Sequence, residues 1–422
     1  MAVRSSSISL DGNPTPGSPP DRATGAAVYR SPIVDRLFRT SPFAQVWLVG
    51  FFQEVAFFLL VNLPGRLHEL GISETGIGLA YSGSALAAIL LRPFIGRILD
   101  AVHRRTVLRA AGVANIAAIS VLAFAATTGP ALWVAFLAQR VLEILLFTTL
   151  LTYCADSLPI HLRTQGLAIF GLSGLIPIAT SNLAGDPLIA AAGYRGVFLA
   201  AAACALTSWT LVWRLPLLPV IGHRPRRNFW AVVGQRDMVP LWWITLMFSM
   251  GLETLLTFMR TYIDTRGIGT LGTFFAIYGG LAVLTRLGGG SRYDTLPHRR
   301  VTVMAVLAQA IGLGLVAVAP GTLTLAAGAA MLGAAHGIVF PILSSEVIRR
   351  ARTAERGSAM AMFTSVMDIA LLSVAPVVGR LIDVTGYTAA FSTVGAILAL
   401  GTLVYLVWDR RLVAAAAIGT VG

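Results

Sequence analysis

Five charged residues stand where charge is expensive. Glu54 follows Gly50-Phe-Phe-Gln53, Arg140 and Glu143 sit within the apolar run 130–154, Glu253 interrupts Met250-Gly-Leu, and Asp368 stands between Met367 and Ile369. An ionisable group so placed costs about 2.5–3.5 kcal/mol to bury in a bilayer and is expected to face a wet, functional interior. Carboxylates there can take up and release a proton in each working cycle, with Glu54 and Glu253 foremost, then Asp368 and the Arg140/Glu143 couple. Arg140 and Glu143 are three residues apart, so an ion pair within one helix is the competing reading. Gln53, Asn182, Trp243 and Phe258 are expected to complete a mixed polar and aromatic cavity suited to a small amphipathic molecule. His336 is a further candidate for that cavity, although a hydrogen-bonded packing histidine is the stronger expectation.

Other chemistry is sparse. The six histidines are scattered, and Cys154 and Cys204 both fall in apolar segments, so no metal site, disulfide or enzymatic centre is expected. The chain has no lysine, so it lacks the G-x-x-x-x-G-K-[ST] loop that cradles nucleotide phosphates, and no cofactor is called for.

The elements that must carry these residues follow from composition. Of the 422 residues 56% are hydrophobic and 12% charged, against about 25% charged in soluble domains. The apolar residues come in blocks of bilayer length. Spans are expected near 43–64, 75–96, 107–127, 131–154, 166–188 and 196–213, then near 240–262, 270–290, 301–319, 323–347, 357–379 and 388–408. The expected fold is an all-α integral membrane protein of twelve transmembrane helices in two six-helix, pseudo-symmetric halves. Residues 1–40 read as a disordered cytoplasmic tail, 41–213 as the first bundle, 214–239 as a cytoplasmic central loop, 240–408 as the second bundle and 409–422 as a cytoplasmic tail.

The formal charge of +13 comes from 32 arginines set between apolar runs, leaving no soluble face for nucleic acid. About 24 of them fall on one side of the spans, which puts both termini in the cytoplasm by the positive-inside rule.

An internal repeat supports the two-bundle reading. Arg92, Gly96, Asp100 and Arg105 recur 194 positions on as Arg286, Gly290, Asp294 and Arg299, and Arg104 meets His298 at the same shift. Gly193, Tyr194 and Phe198 recur as Gly386, Tyr387 and Phe391 at a shift of 193. Parallel repeats of this kind are one of the transporter architectures, with the substrate held near the midplane between them.

The segment from Gly96 through Asp100 to Arg104 and Arg105 resembles the loop signature between helices 2 and 3 of the major facilitator superfamily, and Gly290 to Arg300 resembles its weaker copy between helices 8 and 9. The resemblance implies a gate at Gly96, Asp100, Arg104 and Arg105, with Gly290, Asp294 and Arg299 as counterpart, holding the halves together when the cytoplasmic side is shut. Arg140 resembles the arginine that ties proton to substrate movement in the superfamily's antiporters. The fifth-helix antiporter signature, a Gly-Pro pair followed by two glycines, is replaced by Gly174-Leu-Ile-Pro177 with Thr180 and Ser181 after it.

Arg92-Pro93-x-x-Gly96-x-x-x-Asp100 resembles the bacterial efflux branch of drug, arabinose-efflux-like and metallophore exporters. What the resemblance implies is a monomeric transporter of the bacterial inner membrane working with a small-molecule substrate, protons and the lipid bilayer as partners. Proton-coupled export is the leading expectation, and uptake of a sugar, organic acid or amino-acid-like nutrient is the alternative.

Overall fold

The computed structural model describes residues 41–159, 162–218, 234–289, 297–352 and 355–419. Among these residues every regular element is a helix, and ten helices are long and apolar enough to cross a bilayer. Two of the ten are too long for one crossing. Leu172–Val212 has 41 residues, about 61 Å at 1.5 Å per residue against a hydrocarbon core of about 30 Å. It reverses at Gly193 (φ 63°, ψ −171°), and Arg356–Gly419 reverses at Gly386 (φ 82°, ψ 169°). That region of backbone space is open essentially to glycine alone. Nothing stands within 4 Å of a Cβ built at either position, so conformation rather than room requires the glycine.

Divided at these two points, the described residues form twelve segments, consistent with the twelve expected spans. They are α1 (Pro42–Glu69), α2 (Glu74–Ala101), α3 (Arg104–Phe124), α4 (Pro130–Ser157), α5 (172–192, entered through the short helix Arg163–Phe170) and α6 (194–212). After the connector come α7 (Val239–Arg266), α8 (Leu271–Gly289), α9 (His298–Ala317), α10 (Thr322–Arg350), α11 (356–385) and α12 (387–419). We refer to α1–α6 as the N half and α7–α12 as the C half.

Local chemistry explains the ends. Ser73 caps α2 by accepting from the Gly76 N–H at 3.2 Å, and Gly267 (φ 62°) closes α7 in the left-handed conformation. Within α1, a 3₁₀ turn at Leu60–Asn62 precedes Pro64. Proline has no N–H to give the carbonyl four residues back, so the helix tightens and then restarts with the proline in its first turn. This restart carries the first segment to Glu69, past the expected end at 64. The last helix likewise runs to Gly419, beyond the expected 408, because 414–417 is a run of alanines, the strongest helix former. The expected tail at 1–40 and most of the loop 214–239 lie outside the described residues.

The α5–α6 pair packs on α1 and on α3, and the α11–α12 pair packs on α7 and on α9. Between the halves α2 lies on α11 and α5 on α8. Both seams close through glycine: a Cβ at Gly78 would strike the Ala375 carbonyl and one at Gly379 the Glu74 carbonyl, while at Gly272 it would come 2.7 Å from the Asn182 carbonyl and at Gly279 2.9 Å from Ala179 Cβ. Close backbone approach at small residues is how helices associate where no hydrophobic effect drives them together. The outside is apolar, with Val134, Met304 and Leu323 fully turned outward.

Candidate functional site

The intramembrane charges gather near the middle of their helices. Gln53 on α1 donates from Nε2 to Glu143 Oε2 on α4 at 2.8 Å. Glu54, its neighbour, lies against α5, where a Cβ at Gly174 would stand 3.9 Å from Glu54 Cγ and Cδ, and Glu143 is the charge that acts on it. Arg140, one turn from Glu143, forms no ion pair with it. Its guanidinium instead stands 5.4 Å from the Phe57 ring and 5.3 Å from the Tyr81 ring, and its Nε is buried without a hydrogen-bond partner among the described residues. Arg140 remains the shared electrostatic neighbour of Glu143, Glu253 and Asp368.

Arg140 and Glu253 open onto one cavity of about 60 Å³. Its apolar wall is Phe57, Leu60, Val61, Leu63 and Leu256, and its polar wall Tyr81, Gln139, Arg140 and Glu253. The 3₁₀ turn of α1 thus forms part of the lining, and the two halves contribute opposite sides. Asp368 has a partner that no local sequence announces: Arg92 on α2 donates to it from Nε at 2.7 Å and also from Nη2, and reaches the Thr364 hydroxyl at 2.7 Å. Arg92 therefore does not snorkel to the headgroups, as an arginine near a helix end could. It joins α2 to α11 across the seam.

None of the five expected cavity residues lines this cavity, Gln53 being buried against Glu143 and the other four lying elsewhere. Trp243 donates its indole N–H to the Gly401 carbonyl at 2.8 Å, pinning α7 to α12, and Phe258 is wholly buried in the core, so neither lines the cavity. Asn182 bonds back to the Ile178 carbonyl at 3.1 Å within the α5–α8 seam. His336 Nδ1 shares a 2.5 Å hydrogen bond with the Tyr278 hydroxyl among Phe248 and Phe340, the packing arrangement. In each case a local hydrogen bond or close packing has claimed the side chain.

The two ends of the molecule differ. At the end carrying Asn62, Glu74, Asp186 and Arg260, polar bonds cross between the halves. Arg260 on α7 binds Asp186 on α5 at 2.7 Å and Asn62 Oδ1 on α1 at 3.3 Å, while Asp264 holds its other nitrogens at 2.8 and 2.6 Å. Glu74 at the start of α2 accepts from the Tyr387 hydroxyl at 2.8 Å and the Thr261 hydroxyl at 3.1 Å. Asp383 on α11 accepts the Glu74 and Thr75 N–H groups at 3.1 and 2.8 Å.

At the opposite end the arginines of the expected gate bind within their own half. Arg104 pairs with Asp156 at 3.3 Å and His298 with Glu346 at 2.6 Å. Arg105 donates to the Trp213 carbonyl at 2.6 Å and Arg299 to the Leu406 carbonyl. Gly96 is buried in α2. The Asp100 side chain, Gly290 and Asp294 lie outside the described residues. In this conformation, then, the described gate residues do not join the halves. Their pairing does follow the repeat, since a cation opening the third helix of each half meets an acid near the end of the fourth and the next arginine donates to a carbonyl in or at the end of the last.

The sequence profile of the Major Facilitator Superfamily matches residues 46–372 and 270–420. The chain belongs to the major facilitator superfamily. An uncharacterized MFS-type transporter of Pseudomonas aeruginosa is 27% identical over 346 residues, 79% of this chain and 84% of its own length. One from Burkholderia mallei is 24% identical over 360 residues, covering 83% and 88%. Among solved structures, a nucleoside transporter, NupG, superposes with a TM-score of 0.73 at 15% identity over 87% of this chain and 99% of that one. A POT family transporter reaches 0.75 at 12% identity over 87% and 96%. These structural likenesses bear on the fold. The protein is a multi-pass membrane transporter of small molecules and not an enzyme.

For this superfamily member, sequence reasoning overlooked the closed end. Asp186, Arg260 and Asp264 lie near the ends of their spans, where charge is ordinary and invites no functional reading. A usable signal was present: Asp186 sits beside Pro187 inside a long apolar helix, with no cation within one turn to explain it.

Proposed function

We propose that this transporter of the bacterial inner membrane exports a small amphipathic molecule, drug-like or a secondary metabolite, in exchange for protons. Residues 41–213 and 240–408 act as two bundles that rock about the seams in alternating access, with the protein a monomer and both termini cytoplasmic. The observation that carries the reading is a pair of carboxylates midway along α1 and α4, Glu54 half-buried and Glu143 buried, whose charges act on one another with Arg140 beside Glu143. A carboxylate held inside the membrane next to a second one and an arginine is a group able to take up and release a proton in each working cycle. A proton crossing the membrane supplies about 2.3 kcal/mol per 100 mV, enough to drive modest accumulation without nucleotide.

Under the positive-inside orientation the zipped end is periplasmic, and the conformation faces the cytoplasm, ready to take up an export substrate. Closing the other end then requires the bonds of Arg260, Glu74 and Asp383 to break, and the gate that the superfamily resemblance implies at Asp100 and Asp294 to form.

The test is collapse of a pH gradient in inside-out vesicles carrying wild type or Glu54→Gln, challenged with cationic drugs, siderophores and sugars. Proton release triggered by one class of compound and lost in the variant is the expected outcome. A gradient untouched by every compound, with the protein folded, overturns proton-coupled export and favours uptake.

A further inference from the structure

The cavity between α1, α2, α4 and α7 holds two opposite charges that do not meet. Arg140 enters it from the N half and Glu253 from the C half, and among the described residues neither makes a salt bridge or hydrogen bond. Several other charges inside the described bundles do have partners: Arg92 with Asp368, Arg260 with Asp186 and Asp264, Glu143 with Gln53. Beside Arg140, Gln139 also lines the cavity, is 1% exposed, and has an Nε2 without a partner. One wall therefore offers unmet donors and the facing wall an unmet acceptor. Leaving the buried Arg140 Nε and Gln139 Nε2 unsatisfied is costly, and the half-buried Glu253 brings a negative charge to the same cavity, so the arrangement is suited to a ligand that meets both walls.

We propose that the transported molecule carries a zwitterionic head, its carboxylate held by Arg140 and Gln139 and its ammonium by Glu253. This rests on the transport reading above and names the substrate class for it. A guanidinium is the side chain best shaped to grip a carboxylate through two parallel hydrogen bonds. The Phe57 and Tyr81 rings beside Arg140 hold it in place while leaving its edge to the cavity. A ligand with only a positive charge meets Glu253 but is repelled by Arg140, and one with only a negative charge meets the reverse, so discrimination is built in from both sides. A volume of about 60 Å³ has room for about four waters, the scale of an amino-carboxylate head rather than a whole drug. Because the two charges belong to different halves, the bound head ties α4 to α7 across the seam.

The test uses the purified full-length protein in detergent, with no gradient present. Thermal stabilisation is measured with free amino acids of varied side chain, each beside its amide, which keeps only the ammonium, and its N-acetyl derivative, which keeps only the carboxylate. At least one zwitterion is expected to bind tenfold or more tighter than both of its analogues. Arg140→Gln removes its advantage over the amide, and Glu253→Gln its advantage over the N-acetyl compound. The analogue series is run on wild type, so the test stands if a variant fails to fold. Equal binding of a charge-deleted analogue, or stabilisation by none of the set, overturns the proposal. Proton exchange in vesicles is read separately: drug-driven proton release without zwitterion binding removes this inference alone, and charge-selective binding without any proton movement removes the coupling alone.

Discussion

Asp368 looks isolated in the sequence, with Met360, Met362 and Met367 before it and Leu371 after it. Its partner is 276 positions away on the other half, and no periodicity or composition connects residues so distant. The same distance hid the seam role of Arg92. By contrast, the equivalence of Arg105 and Arg299 was legible in the repeat, and the structure gives each a carbonyl in or at the end of the sixth helix of its half. Removing one member of the Arg92–Asp368 pair leaves a charge without its counterion inside the seam, a loss of about 1.5–3 kcal/mol for a charged hydrogen bond. Arg92→Gln and Asp368→Asn are each expected to lower the midpoint of thermal unfolding. The exchange Arg92→Asp with Asp368→Arg is expected to recover part of that loss, read as a coupling energy in a double-mutant cycle. Additive losses would mean that the pair does not couple the halves.

Helices were the most legible level, because a bilayer sets their length and an apolar run shows it. Even the two reversals were visible as the Gly-Tyr-x-x-x-Phe repeat, though not as left-handed backbone. What escaped was the interior of α1. A proline at position 64 reads as a stop, yet the structure uses it to restart the helix and to turn Leu60, Val61 and Leu63 into the cavity. At Gly193 and Gly386 a methyl group meets no neighbour, so alanine there tests conformation alone. Each substitution is expected to cost about 1–3 kcal/mol, measured as a lowered unfolding midpoint of the purified protein. An unchanged midpoint would show that the reversal relaxes into another backbone conformation.

At the scale of the molecule, the conformation is set by which end carries bonds between the halves. Arg260 reaches two helices of the other half at once, binding α5 and α1 from α7. Arg260→Gln is expected to shift the population toward molecules open at that end. Spin labels on the exposed positions Ala192 and Thr385, one on each half, should then report a longer distance between them, while an unchanged distribution would assign the closure to the glycine seams instead. The candidate site itself was half legible: each buried charge could be named from the sequence, but not which of them pair, since that depends on helix rotation and on contacts between the halves.

The glycine seams have a further consequence. Contacts against backbone at Gly78, Gly272 and Gly379 ask only that no side chain stand at the glycine. The moving joint and the recognition surface are therefore built from different material. Residues around the cavity can be exchanged one by one without disturbing how the bundles slide, and so a lineage can acquire new cargo while inheriting its machinery unaltered.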